Sequence, residues 1–201
     1  MLAVASVSAH GQLRFGVTAG GNDIALGLTS TSRSSGYGVS AGLCADWTFS
    51  EDLPVLFRAE VDWSVSREER SLLYDTIAYE EDRTSKFISV PMMLGYGFCG
   101  NRLRVMIGEE FSYAYSVVSH KVGSKHFAND VYEDFDSTDR WAKGDYNPWR
   151  TSLVLGVEYL VLPALGIKLK FLQTLGQMTD SFQDDVSLAQ VGVNLYFNRP
   201  D

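Results

Sequence analysis

The sequence predicts an all-β chain that closes into an eight-stranded, antiparallel, up-and-down transmembrane β-barrel. Three observations carry that expectation. Apolar residues recur at every second position in run after run, at the period of strands rather than helices. The connections between runs alternate short and long. The most apolar stretch, residues 153–167, is interrupted by Glu158, Pro163 and Gly166, short of the ~18 apolar residues that a helical span needs.

Each segment shows the alternation in its own residues. Residues 13–21 set Leu13, Phe15, Val17 and Ala19 against Arg14, Gly16, Thr18 and Gly20. Residues 37–49 set Val39, Leu43, Trp47 and Phe49 against Ser40, Cys44 and Asp46, and residues 55–66 set Val55, Phe57, Val61 and Trp63 against Arg58, Glu60 and Asp62. Residues 86–98 and 102–117 continue the pattern, the first with Ile88, Met92 and Leu94, the second with Val105, Ile107 and Phe111 opposite Arg104 and Glu110. Residues 150–160, 166–176 and 187–197 complete the set, with Glu158, Lys168 and Lys170 on the polar phase and Phe197 last on the apolar one. These eight segments cover nearly half the chain, about twice the ~20–25% strand share of an ordinary globular domain. Each is close to the ~9–11 residues of a tilted membrane strand.

The polar phase is the expected interior. It holds Arg14, Arg58, Arg104, Lys168 and Lys170 against Asp46, Glu60, Asp62, Glu110 and Glu158, five charges of each sign. An eight-stranded lumen is only wide enough for side chains, so charges inside it need partners, and this set reads as a structural network that plugs the barrel. Glu109 falls on the apolar phase, which predicts a register shift or bulge at that point.

Short connections lie at residues 50–54, 99–101 and 161–165, and long ones at about 22–36, 67–85, 118–149 and 177–186. The long ones are read as exposed loops on the outer side, with both termini on the periplasmic side. They carry sixteen acids against eight bases, which accounts for the whole formal charge of −8. Aromatic residues cluster near the segment ends, with Phe49, Phe98, Tyr159 and Phe197 on the short-turn side and Tyr37, Trp63, Tyr113, Tyr115 and Trp149 on the other, as two interfacial belts require.

Charge and cysteine content narrow the function. A pI near 4.9 argues against a nucleic-acid partner, and two cysteines, Cys44 and Cys99, make neither a disulfide framework nor a zinc set. Direct bridging of those two is not expected, because their strand positions keep the Cβ atoms apart. Residues 1–11 (MLAVASVSAHG) are apolar and end on a small-x-small pattern, which reads as the remnant of a signal peptide preceding a barrel domain over residues 12–201.

The strings RFGVTAGGN, YGVSAGLCADWTFSEDLPVLFRAEV, KFISVPMMLGYGF and AQVGVNLYF together resemble the PorT-like outer-membrane β-barrel family of Bacteroidetes-type bacteria. The resemblance spans residues 12–197 and rests on spaced glycines and aromatics, not on a catalytic signature. It implies the barrel fold and a Gram-negative outer-membrane location. In some members of that family it extends to type IX secretion and gliding. Two positions depart from the pattern: Glu109 stands where such proteins usually carry proline, and residues 198–201 follow the terminal Phe197.

Enzymatic chemistry finds little support. Beyond residue 12 the only histidines are His120 and His126, with Ser119, Ser124 and Asp130 nearby, a set consistent with a lipid-modifying or proteolytic centre but equally with solvated loop residues. The acidic run Asp130, Glu133, Asp134, Asp136 and Asp139 lacks the glycine and spacing of a calcium loop and reads instead as a cation-attracting surface facing lipopolysaccharide or an envelope protein. No cofactor or metal is expected. The function expected is a non-enzymatic structural or interaction barrel. A soluble lipocalin-like carrier would need the reverse facing, with an apolar interior.

Overall fold

The computed structural model describes residues 12–26, 32–49, 54–74, 77–126, 132–140, 148–175 and 186–197. Nine strands are present among them: β1 (Gln12–Leu26), β2 (Ser32–Thr48), β3 (Val55–Tyr74), β4 (Ile77–Phe98), β5 (Leu103–His126), β6 (Tyr132–Arg140), β7 (Trp149–Leu162), β8 (Leu165–Thr174) and β9 (Val186–Tyr196). Eight of them close into one antiparallel barrel in the ring order β1-β2-β3-β4-β5-β7-β8-β9, β1 pairing with β9 (Gly16 opposite Tyr196) to seal it. No described helix is long and apolar enough to cross a membrane.

The alternating pattern becomes the two faces of the wall, because successive strand side chains point to opposite sides. Leu13, Phe15, Leu43, Trp63, Leu94, Ile107, Leu155, Ile167 and Val193 are exposed on the outside. Arg58, Glu60, Glu158, Lys168 and Lys170 are fully buried inside. This facing is the opposite of a lipocalin's apolar interior, and it excludes the soluble-carrier alternative.

Aromatic contacts mark both rims of the outer belt. Trp47 packs on Phe49 with ring centroids 4.8 Å apart, and Tyr96 on Phe98 at 4.9 Å, on the short-turn side. At the other rim Tyr113 packs on Trp149 at 4.9 Å, and the Trp63 indole N–H donates to the Tyr115 hydroxyl. The tight turn from β4 to β5 uses three successive left-handed residues, Cys99, Gly100 and Asn101. Cys99 is exposed there while Cys44 is buried in the wall, and both thiols are free.

Three expectations need correction. The segments 67–85 and 118–149, read as loops, are largely strand: β3, β4 and β5 run past the membrane belt as a continuous sheet, and β6 adds a fourth strand to it by pairing with residues 118–126 of β5. The segment 22–36 is likewise mostly taken up by the ends of β1 and β2. Apolar alternation stops at Val65 and Lys86 because the lipid stops there, whereas the ladder goes on, held by cross-strand ion pairs such as Arg83–Glu68 (2.7 Å) and Arg67–Asp82.

The charge reading of those segments changes with it. Glu68, Glu81 and Arg83 are buried on the inward face of the extension, so not all of the acidity assigned to the loops is exposed.

The register shift is also misplaced by the sequence reading. Glu109 sits in unbroken ladder opposite Met92 on β4 and Leu153 on β7. The irregularity lies between Lys86 and Phe87, where Lys86 pairs with Ser116 and Phe87 with Ala114, leaving Tyr115 as the extra residue. An extra residue reverses the facing of every residue beyond it, and accordingly odd-numbered residues point outward up to Tyr115, while Val117 and Ser119 are buried.

Candidate functional site

The ten charged residues assigned to the interior from the sequence are all buried in the lumen. Eight of them form one connected array in the half nearest the short turns. Asp46 and Arg58 are directly opposite on β2 and β3 and form a two-pronged pair, Nε to Oδ1 at 2.6 Å and Nη2 to Oδ2 at 2.8 Å. Arg58 Nη2 also reaches across the lumen to Glu158 Oε2 on β7 at 2.6 Å. Arg104 on β5 bridges the same two acids, donating to Asp46 at 2.7 Å and to Glu158 at 3.2 Å.

A second group sits further along β3. Lys168 and Lys170 on β8 meet Glu60 at 3.2 and 2.9 Å, and Lys170 also meets Asp62 at 3.1 Å. In the eight-strand ring β3 and β8 are diametrically opposite, so these bridges cross the full width of the barrel. Arg58 Nη1 lies 3.8 Å from Glu60 and joins the two groups. Burying a charge from water costs several kcal/mol per ion, and only such close, multiply bonded partners offset it.

Two neutral residues that sequence reasoning left out complete the array. The Tyr196 hydroxyl accepts from Arg58 at 2.5 Å and donates to Glu158 at 2.8 Å, and Asn194 Nδ2 donates to the same Glu158 oxygen at 2.6 Å. Both lie on the inward phase of the last segment, and a search for polar rather than charged inward residues finds them. Small residues make the room: a Cβ on Gly166 would stand 2.5 Å from Glu158 Oε1.

Arg14 and Glu110 are in the lumen but outside the array. Arg14 donates to the Pro163 carbonyl and lies 4.1 Å over the Tyr196 ring. Glu110, toward the opposite end, accepts from Ser112 at 2.9 Å, and Ser112 in turn bonds Ser89 at 2.9 Å. Small hydroxyls dominate this half, where Ser40, Ser64, Ser66 and Ser89 line a cavity of about 30 Å³ with Asp62 and Glu110.

Of the acidic run, Glu133, Asp134, Asp136 and Asp139 lie exposed on β6, and Asp130 is outside the described residues. The expected acidic loop is therefore an acidic strand. Beside it on β5, His120 Nδ1 is 3.0 Å from Thr138 Oγ1 and 3.5 Å from Asp136 Oδ1, and Lys121 is 3.9 Å from Asp139. Among the described residues β6 pairs only with β5, which leaves its other edge unpaired.

A closed wall that is apolar outside, ionic inside and rimmed by aromatics is the construction of a barrel that spans lipid. A family model for the outer membrane protein β-barrel domain matches residues 5–180. The chain belongs to that family. It is accordingly an outer-membrane β-barrel of a Gram-negative bacterium; in such barrels the short turns face the periplasm and the longer connections face outward.

Solved structures to which this outer-membrane barrel is similar include Neisserial surface protein A (13% identity, 93% of this chain and 99% of that one covered, TM-score 0.45). They also include the attachment invasion locus protein Ail of Yersinia pestis in complex with the heparin analogue sucrose octasulfate (12%, 92% and 99%, 0.44). A third is the outer membrane protein OprG of Pseudomonas aeruginosa (9%, 92% and 94%, 0.36). A search of curated proteins found no match.

Among the described residues no catalytic or metal-binding constellation is assembled. His120 is exposed and faces a threonine and a carboxylate, and the side chain of His126 is outside the described residues. No group of three or more His, Cys, Asp or Glu side chains is placed to hold a metal ion among the described residues.

Proposed function

We propose that this outer-membrane barrel is a non-enzymatic structural and interaction protein of the PorT-like branch, with a plugged lumen and an acidic outer strand as its binding element. The supporting observation is β6: it carries Glu133, Asp134, Asp136 and Asp139, all exposed, on a strand that among the described residues pairs with β5 alone, in a sheet that stands above the lipid belt. Carboxylates at that height meet the anionic groups of lipopolysaccharide, and like charges there are joined by divalent cations. An envelope protein with a basic surface is the alternative occupant of the same strand, and a role accessory to secretion or surface assembly would run through it.

The test places the barrel in vesicles containing lipopolysaccharide and follows its unfolding with and without Mg²⁺. The ion should raise the unfolding midpoint of the native chain but not that of the variant carrying Glu133→Gln, Asp134→Asn, Asp136→Asn and Asp139→Asn. Equal responses would remove lipopolysaccharide bridging, and pull-down by a basic envelope protein that the same variant abolishes would put the alternative in its place. Turnover of lipid or peptide lost on His120→Ala would overturn the non-enzymatic reading.

A further inference from the structure

The ion pairs of the lumen do not use its charges evenly. Near the periplasmic end three arginines, Arg14, Arg58 and Arg104, stand with two carboxylates, Asp46 and Glu158, and it is Arg58 and Arg104 that bond both carboxylates. Arg14 stands opposite Asp46 in the β1–β2 ladder yet turns away from it, to the Pro163 carbonyl and the Tyr196 ring. Neither of those neutralises it. Among the described residues no carboxylate lies within ion-pair distance of Arg14, and the lumen acid that likewise has no ion pair there, Glu110, lies toward the other end.

Arg14, Arg102 and Arg104 line one cavity of about 220 Å³ at this mouth. Arg14 and Arg104 are each more than nine-tenths buried, and the Nε of each has no hydrogen-bond partner. A buried guanidinium N–H without an acceptor is costly, and two of them lining one cavity define the ligand that relieves them: an oxyanion. Planar guanidinium forks match the paired oxygens of phosphates as they do those of carboxylates. The lining is partly apolar, with buried Leu160, whose N–H donates to the Arg102 carbonyl at 2.7 Å, and exposed Leu162.

We infer that this periplasmic mouth is a binding site for a phosphate group, held by Arg14 and Arg104 from inside and by the exposed Arg102 from the rim. At about 220 Å³ the cavity is several times the ~30 Å³ that one water occupies and admits a phosphate with the first atoms of its ester. Two sources share this chemistry. One is the headgroup of an anionic phospholipid of the inner leaflet, and the other is free phosphate in the periplasm.

The experiment uses the folded chain in octyl glucoside, a detergent without phosphate, at low salt. Inorganic phosphate is titrated and its ³¹P linewidth followed, with heat-dependent gel mobility confirming that each protein is folded. The native chain should broaden the signal saturably, and Arg102→Gln and Arg14→Gln should each bind about tenfold more weakly, the loss expected for one charge-assisted hydrogen bond. Arg102 is exposed, so its variant tests the site even if Arg14→Gln does not fold. Displacement of the phosphate by short-chain phosphatidylglycerol assigns the site to lipid, and no displacement assigns it to free phosphate. Absence of saturable broadening with the native chain, or unchanged broadening in the folded Arg102→Gln protein, overturns the inference.

Discussion

Arg58 on β3 and Glu158 on β7 meet across the lumen at 2.6 Å, with both side chains fully buried. They are not neighbours in any strand ladder, so their contact ties together two parts of the wall that backbone pairing does not join. Each is also anchored to its own side, Arg58 to Asp46 and Glu158 to Asn194. The pair is therefore the cross-brace of the periplasmic half of the barrel.

Removing one member of such a brace leaves the others buried and uncompensated. Arg58→Ala should destabilise the barrel by about 3–5 kcal/mol, because Asp46 and Glu158 then share only Arg104. Urea unfolding of the protein in phospholipid vesicles measures this. Arg58→Leu combined with Glu158→Leu should lose less than the sum of the two single changes. Additive losses would show that the two residues do not act together.

The bridges from Lys168 and Lys170 to Glu60 and Asp62 close the full width of the lumen. The native barrel in a planar bilayer should accordingly show no steady ion conductance. Replacing Glu60, Lys168 and Lys170 together by alanine removes long side chains from two opposite strands and should open small, cation-permeable steps. Steady conductance by the native chain would show that the array lines a pore and does not plug it.

The barrel itself was legible because lipid imposes one rule on every strand: Leu43, Val61, Leu94 and Ile167 face hydrocarbon, and their partners in the pattern face in. The same rule hid the outer sheet. Beyond Val65 both faces meet water or ions, so Glu68 and Arg83 alternate with Arg67 and Asp82 with no contrast in hydropathy, and strand there looks like loop. The charged half of the interior was readable residue by residue from phase and sign. Which charge paired with which was not, since Arg14 faces Asp46 in the ladder and still leaves it to Arg58. The extra residue escaped for a related reason: Tyr115 is itself an outward aromatic at the rim, and its bulge leaves the apolar pattern below it intact.

The exposed pair on the outer sheet should behave differently from the lumen. Arg67 and Asp82 are bidentate across β3 and β4 but open to solvent. The hydrogen bond to Asp82 raises the Arg67 pKa above the ordinary arginine value. A raised value in the folded state means that the stabilisation is complete below the unfolded arginine value and is lost only as the pH climbs past the folded one. Stability should therefore show no change attributable to Arg67 between about pH 6 and pH 10. Arg67→Ala should leave the unfolding midpoint nearly where it was, since an exposed pair is screened by water and salt. A drop as large as that of Arg58→Ala would show that the outer sheet, and not the lumen, holds the barrel.

Glu109 is the one carboxylate within the apolar outer face of β5, flanked there by Ile107 and Phe111 and opposed by Met92 and Leu153, all four exposed to the lipid side. Met92 lies midway along the lipid-facing row of β4 that runs from Ile88 to Phe98, which puts Glu109 near the centre of the bilayer. No shift in register carries it away from lipid. An acidic side chain at that depth costs less than the ~2–4 kcal/mol of an arginine or lysine, but it is still unfavourable. Glu109→Leu should therefore stabilise the barrel by about 1–2 kcal/mol in a fluid phospholipid bilayer. In detergent, where water reaches the belt more easily, the gain should shrink. The comparison is made by urea unfolding of the two proteins in vesicles and in micelles. A loss of stability in vesicles on Glu109→Leu would mean that the carboxyl is not facing lipid alone, and that a polar group from another molecule meets it there.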